Sequence, residues 1–167
     1  MAKELSIFVD ESGDRGGKAR YYLLTLVFHD QADNIAEAVT GYEAKLARAD
    51  LPNIPFHSEP LMNGHKDYEF LGIEQRKAML AYFSSFVRRL PISYTTFVYR
   101  RSQFEDPARL TSMTGYRLEQ VADYLCTIEL ALVKYEAKEN GETYNKFFGG
   151  IGSFKRNWLK QARSKQI

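Results

Sequence analysis

The sequence predicts a mixed α/β domain. Short runs rich in β-branched and aromatic residues alternate with longer segments in which apolar residues recur at helical spacing. The chain has 167 residues and 44% hydrophobic content, without a composition break that would mark a linker. We therefore expect residues 1–167 to form one domain around a single core. An aromatic content of 14% excludes a disordered chain and predicts a core of large rings.

Each element follows from a local pattern. The predicted strands cover residues 5–9, 21–28 and 92–99, and the predicted helices cover residues 33–49, 73–90, 118–136 and 153–162. A glycine-containing turn separates the first two strands, which predicts an antiparallel hairpin. Asp33 and Ser153 are expected as N-caps of their helices. Pro91 ends the second helix, and residues 51–68 are expected to be irregular.

Charge and cysteine usage limit the environment and the partners. The net charge of +2 excludes a polycation that binds nucleic acid indiscriminately. The single cysteine, Cys126, excludes an internal disulfide and fits a reducing compartment, with a packed and inert thiol. The sequence shows neither a leader segment nor an apolar run of about 20 residues. We expect a cytoplasmic protein that does not partner with a membrane.

The C-terminal end is basic and aromatic. From Lys146 to Ile167 there are six Lys or Arg residues and no acid. Basic side chains can follow a phosphate backbone while aromatic rings stack on bases, which makes nucleic acid a candidate partner. The candidate contacts are Lys155, Arg156, Trp158 and Lys160. A solvated helix face with a docked tryptophan explains the same pattern.

Acidic residues follow the first strand directly. The apolar run Ile7 to Val9 leads into Asp10, Glu11 and Asp14. Three carboxylates beside a buried strand are costly to desolvate, and a hard divalent cation offsets that cost. We therefore consider Asp10, Glu11 and Asp14 as metal ligands. The alternative is a solvated turn, since Asp, Ser and Gly also end strands for conformational reasons.

Several segments together resemble one protein family. They are the Asp-Glu-Ser-Gly-Asp motif that follows Ile7 to Val9, the tripeptide Phe56-His57-Ser58, the helical segment from Tyr116 to Cys126, and the stretches 146–148 and 154–157. These segments are similar to the prokaryotic and phage family named domain of unknown function 3800 (DUF3800). That family is grouped with the ribonuclease H-like superfamily, whose members cut or rearrange nucleic acid with carboxylate-bound Mg²⁺ or Mn²⁺.

The resemblance implies a fold and a set of site residues. The fold would be a ribonuclease H-like mixed sheet flanked by helices. Asp10 corresponds to the superfamily's first-strand metal ligand, with Glu11 and Asp14 beside it, and Asp123 corresponds to the acid on its C-terminal helix. His57 would assist proton transfer. The residues alone leave two alternatives open, a salt bridge for Asp123 and a hydrogen-bonded loop position for His57.

The chain departs from the ribonuclease H-like pattern after its third strand. The complete sheet has two further strands and another catalytic acid, and the interval from Arg100 to Tyr116 is too short to hold them. The loss of one acid predicts a one-metal site unless another acid substitutes. The acids considered for that position are Glu11, Asp14, Asp106 and Glu119. A shortened sheet also exposes an edge of its first strand, which favours strand exchange or dimerisation, so a homodimer is a candidate assembly.

Two functions from different classes follow. The first is a Mg²⁺- or Mn²⁺-dependent nuclease-like phosphodiesterase that uses Asp10, Asp123 and His57, with Glu11 or Asp14 completing the site. The second is a catalytically degenerate module that binds nucleic acid or a protein. A covalent phosphatase with Asp10 as nucleophile is weakly supported, because Ser12 occupies the position where haloacid dehalogenase-like enzymes carry a second aspartate.

Overall fold

A computed structural model describes residues 4–13, 20–100 and 117–167 of the chain. The strands are β1 (Leu5–Ser12), β2 (Tyr21–Asp30) and β3 (Ile92–Arg100). The helices are α1 (Ala36–Arg48), α2 (Ser58–Asn63), α3 (Ile73–Arg89), α4 (Arg117–Glu136), α5 (Glu142–Phe148), α6 (Ile151–Phe154) and α7 (Lys160–Arg163). A 3₁₀ turn spans Lys66–Tyr68, and a π-helical turn, Lys155–Leu159, joins α6 to α7.

The described strands form one antiparallel sheet in the order β1-β2-β3. Its register pairs Asp10 with Thr25, and Thr25 in turn with Thr96. The predicted hairpin and the mixed α/β class are thereby confirmed. Residues 101–116, the interval in which the ribonuclease H-like pattern is shortened, lie outside the described residues.

Helices cover one face of this sheet. Because side chains alternate along a strand, Phe8, Leu23, Val27 and Tyr94 lie on the same face, and all four pack into the core. Helix α4 packs against β1 and β2 on that side. Further out, buried rings join α1, α3 and α4 to the segment before α2. The rings in contact are Tyr42, Phe56, Phe83, Phe86 and Tyr124.

An ion pair between a buried glutamate and an exposed arginine anchors the C-terminal end. Glu129 of α4 is 4% exposed and accepts hydrogen bonds from the Tyr94 hydroxyl (2.8 Å) and from Nε and Nη2 of Arg163 (3.2 and 2.9 Å). Beyond α7 the chain runs beside β3, where the Tyr94 amide donates to the Lys165 carbonyl at 2.9 Å. The last residues therefore cover the beginning of the outer edge of β3.

The structure corrects several local predictions. Asp33 does not cap α1: the N-cap is Ile35, and the Asn34 side chain accepts the Ala36 amide at 2.8 Å. Ser153 lies inside α6 rather than at its N-cap, since that helix begins at Ile151. Part of the segment expected to be irregular is helical as α2, and α5 forms where no helix was predicted. Both additional helices have fewer than two full turns, too few for a clear periodicity.

Candidate metal and proton-transfer site

Asp10 lies on the helix-covered face of the sheet. It follows Phe8 by one alternation of β1 and pairs across the sheet with Thr25, which is fully buried. The Thr25 hydroxyl lies 2.8 Å from that of Thr96, and the Cys126 thiol of α4 lies 4.0 Å from the Leu23 carbonyl on the same strand as Thr25. Asp10 is therefore presented at the junction between β1 and α4.

Glu11 lies on the opposite face of β1. Its Oε2 accepts a hydrogen bond from the Tyr22 hydroxyl at 2.6 Å. Adjacent strand residues point to opposite sides, so β1 does not present Asp10 and Glu11 to one site. Asp14, the third acid of the motif, lies outside the described residues.

Asp123 connects α4 to the segment that leads into α2. Its Oδ2 accepts the Ser58 amide at 3.0 Å and lies 3.7 Å from Nδ1 of His57. The second distance exceeds a hydrogen bond, so the two side chains form an ion pair when the imidazole is protonated. The Asp123 side chain is 23% exposed and that of His57 is 43% exposed. Water can therefore reach both groups.

Side chains hold the backbone around His57 in an extended conformation. The Phe56 amide donates to Gln120 Oε1 at 3.0 Å, and the His57 amide donates to the Tyr68 hydroxyl at 3.0 Å. That hydroxyl donates in turn to the Pro55 carbonyl at 2.7 Å. Gln120 and Asp123 lie one turn apart on α4 and bond alternate amides of the segment. The sequence analysis found neither Gln120 nor Tyr68, because their role comes from long-range contacts.

The surroundings of His57 favour its charged form. The Asp123 carboxylate raises the pKa of His57 above its ordinary value, and Asp67 acts in the same direction. Partial burial and the Lys66 ammonium oppose this shift in the pKa. A raised pKa keeps His57 protonated to higher pH than an ordinary imidazole, which favours a proton-donating role.

The Cys126 thiol connects the two aspartates. Burial raises its pKa most, and the charges of Asp10 and Asp123 raise it further. Asp123 and Cys126 lie about one turn apart on α4, which packs against β1 on the face of the sheet that carries Asp10. The thiol is free and buried, which confirms its predicted position in the packed core. We call Asp10, His57 and Asp123 the strand–helix site.

The donor set of this site suits a hard cation. Carboxylate oxygens are the protein ligands that Mg²⁺ and Mn²⁺ prefer, and Mg²⁺ commonly takes only one or two of them while it keeps several waters. Within residues 4–13, 20–100 and 117–167, no three His, Cys, Asp or Glu side chains form a cluster that could hold a metal ion. Asp10 and Asp123 are carboxylates of the kind that such a cation prefers.

The basic side chains and the tryptophan ring of the C-terminal end differ in their exposure to solvent. Arg156 and Lys160 are exposed, as is Lys155, whose ammonium lies 3.3 Å from Glu136. Trp158 is partly buried with its ring edge-to-face against Phe148, their centroids 5.4 Å apart. The ring is thus engaged within the fold, while Arg156 and Lys160 project into solvent.

Comparison of the chain with protein-family models, with curated proteins and with solved structures gives no match in any of the three. None of the helices in the described ranges has the length and apolar character that crossing a membrane requires.

Proposed function

We propose that this chain is a DUF3800-like, ribonuclease H-like hydrolase that cleaves phosphodiester bonds of nucleic acid with Mg²⁺ or Mn²⁺ in the cytoplasm. One observation carries the proposal: α4, which carries Asp123, packs against β1 on the face of the sheet that presents Asp10, so a strand acid and a helix acid lie on the same side of the sheet. The ion pair of His57 with Asp123 supplies the third functional group.

Each residue of the strand–helix site has a role in this proposal. Asp10 and Asp123 would hold the cation through carboxylate oxygens, and Asp123 orients His57 as well. A bound cation supplies an activated water and neutralises charge on the phosphate. Protonated His57 donates a proton to the leaving oxygen. Glu11 takes no part, because it lies on the other face of β1.

A cleavage assay on labelled single- and double-stranded DNA and RNA, with Mn²⁺ or with EDTA, tests the proposal. We expect metal-dependent cleavage that falls about 100-fold or more in Asp10→Asn and Asp123→Asn, because even outer-shell substitutions at metal sites cost about 10- to 100-fold. Glu11→Gln is the matched control on the same strand and should retain activity. Cleavage that persists in Asp10→Asn, or that needs no metal, contradicts the proposal.

Exposed basic residues favour a second candidate, a module that binds nucleic acid without cutting it. Arg156 and Lys160 are exposed near the C-terminal end, where no acid follows Lys146 in the sequence. In this case binding would weaken with salt, and Arg156→Ala with Lys160→Ala would reduce the salt dependence. The control variant, Lys77→Ala with Arg88→Ala on α3, removes the same charge. It should change neither the binding nor its salt dependence. Binding that is indifferent to salt contradicts this candidate.

A further inference from the structure

The second face of the sheet carries an apolar surface. Strand alternation places on this face the side chains that do not point toward α4. We define the open face by its apolar members: Leu5, Ile7 and Val9 of β1, Leu24, Leu26 and Phe28 of β2, and Phe97 of β3.

Helices in the described part of the chain leave the open face accessible. None of its members is fully buried, and Leu5, Ile7 and Phe97 are 57%, 51% and 47% exposed. None of them belongs to a core cluster or packs against one, whereas Phe8 and Val27 on the other face do. Contiguous apolar surface of this kind marks an interaction site.

The chemistry of the open face indicates a protein partner. Its apolar centre has polar positions around it, including the hydrogen-bonded pair Glu11 and Tyr22 at one end and Thr95 on β3. Apolar centres with polar rims are typical of protein interfaces. None of the strand positions on this face is Lys or Arg, so the face offers no cation to a phosphate-bearing partner.

The dimensions of the open face fit a second copy of the chain. Three strands at about 4.8 Å spacing and about 27 Å in length give roughly 400 Å² in plan. Stacking two such faces removes about twice that flat area, roughly 800 Å², which lies below the roughly 1,200 Å² of standard specific interfaces and fits a weak, reversible dimer. The acids Glu11 and Asp30 lie at opposite ends of the face, so its centre meets its own copy without opposed charges.

We propose that two copies of this chain stack through their open faces and form a sheet-on-sheet dimer. The two sheets pack about 10 Å apart, as in a β-sandwich, and bury Ile7, Leu26 and Phe97 between them. This arrangement differs from edge pairing, which would extend the sheet along β1 and leave the open faces in water. It does not depend on the proposed enzymatic activity.

Sedimentation velocity of the full chain, from low micromolar to several hundred micromolar, tests the dimer. Phe97→Lys and Ile7→Lys each place a charge in the open face at a half-exposed position, where the fold of the monomer tolerates it. We expect a dimer whose dissociation constant rises about tenfold or more in each variant. Phe70→Lys is the matched control, because Phe70 is 68% exposed and lies outside the sheet.

The outcomes separate the possible occupants of the open face. Dimers that weaken in Phe97→Lys and Ile7→Lys, but not in Phe70→Lys, support face-to-face stacking. A protein that stays monomeric at every concentration overturns the proposal, because something other than a second copy must then cover the face. A dimer that neither variant weakens also overturns it and places the contact elsewhere, for example along the edge of β1. Circular dichroism of each variant confirms that it is folded.

Discussion

Helix α4 carries two acids in different surroundings. Glu129 is 4% exposed, and both of its oxygens accept hydrogen bonds, from Tyr94 and from Arg163. Asp123 has a side chain that is 23% exposed and uses Oδ2 for the Ser58 amide and the His57 imidazole. Among the described residues, none donates a hydrogen bond to its other oxygen. Glu129 is thus committed to holding the fold, whereas Asp123 has an oxygen available to a ligand.

The difference separates structural from functional carboxylates. Removing one member of a buried ion pair is strongly destabilising, because the remaining group loses its partner while it stays partly desolvated. A carboxylate with one engaged oxygen and access to water is fixed in position and can still bind a cation. Because Glu129 is the more buried acid, burial alone would suggest that it is the functional carboxylate. The hydrogen bonds at each oxygen favour Asp123 instead, since within the described part of the chain only Asp123 of the two has an oxygen available to a ligand.

The largest effect that we expect is from Glu129→Ala. The substitution leaves the Tyr94 hydroxyl and the Arg163 guanidinium without their acceptor and opens a cavity, so the free energy of unfolding should fall by about 3 kcal/mol. Urea denaturation measures this change. Glu136→Ala removes an exposed acid from the same helix and should cost less than about 0.5 kcal/mol. Equal losses in the two variants would show that the hydrogen bonds of Glu129 stabilise the fold no more than an exposed acid does.

Asp123→Asn should affect activity much more than stability. The asparagine oxygen can still accept the Ser58 amide, so we expect a loss below about 1 kcal/mol in unfolding free energy. The expected 100-fold loss of cleavage corresponds to about 2.7 kcal/mol in the activation barrier. Urea denaturation and the cleavage assay on the same preparation give both numbers. A stability loss as large as that of Glu129→Ala would make Asp123 a structural residue.

Tyr68→Phe tests the support of the segment around His57. The substitution removes the hydroxyl that joins the His57 amide to the Pro55 carbonyl, so about 1–2 kcal/mol of stability should be lost. Hydrogen exchange at the His57 amide should accelerate in the same variant. Tyr82→Phe is the control, since Tyr82 is partly buried against the core. Unchanged exchange at His57 would contradict this role for Tyr68.

The smallest effect concerns pH. Because the folded-state pKa of His57 is raised, its stabilising contribution is fully present below about pH 6.5, the unfolded value, and disappears as pH rises through the folded pKa. Since the His57 side chain is 43% exposed, solvent screening limits this contribution to a few tenths of a kcal/mol. His57→Gln should therefore be destabilising at pH 5 and nearly neutral at pH 9 in urea denaturation. A larger loss of stability at pH 9 than at pH 5 would contradict a raised pKa for His57.

Periodicity was sufficient to predict the long elements. The three strands and helices α1, α3 and α4 occur where alternation or helical spacing predicted them, with ends displaced by a few residues. Short helices such as α2 offer too few apolar repeats to be found in this way. Strand alternation, already visible in the sequence, also implies that Asp10 and Glu11 point to opposite faces.

The contacts of the site were less accessible to sequence reasoning. Asp123 was found through a resemblance, and the structure adds what touches it: an amide before α2 and an imidazole. Gln120 and Tyr68 bond residues far away in the sequence, so no local pattern marks them. Glu129 did have a local signal, since it lies between Ile128 and Leu130 on a helix whose residues are mostly buried, but its partner Arg163 becomes evident only in the fold.

The buried Cys126 thiol can report how often α4 separates from the sheet. Because the thiol is buried, with a raised pKa, an alkylating reagent can reach it only when α4 lifts from the sheet. When closure outpaces alkylation, the labelling rate gives the free energy of that local opening. Every modified thiol reports the same event, since the sequence holds no other cysteine. A cation bound by both Asp10 and Asp123 would slow the alkylation of Cys126. The decrease in the labelling rate would measure the affinity of the cation without any substrate.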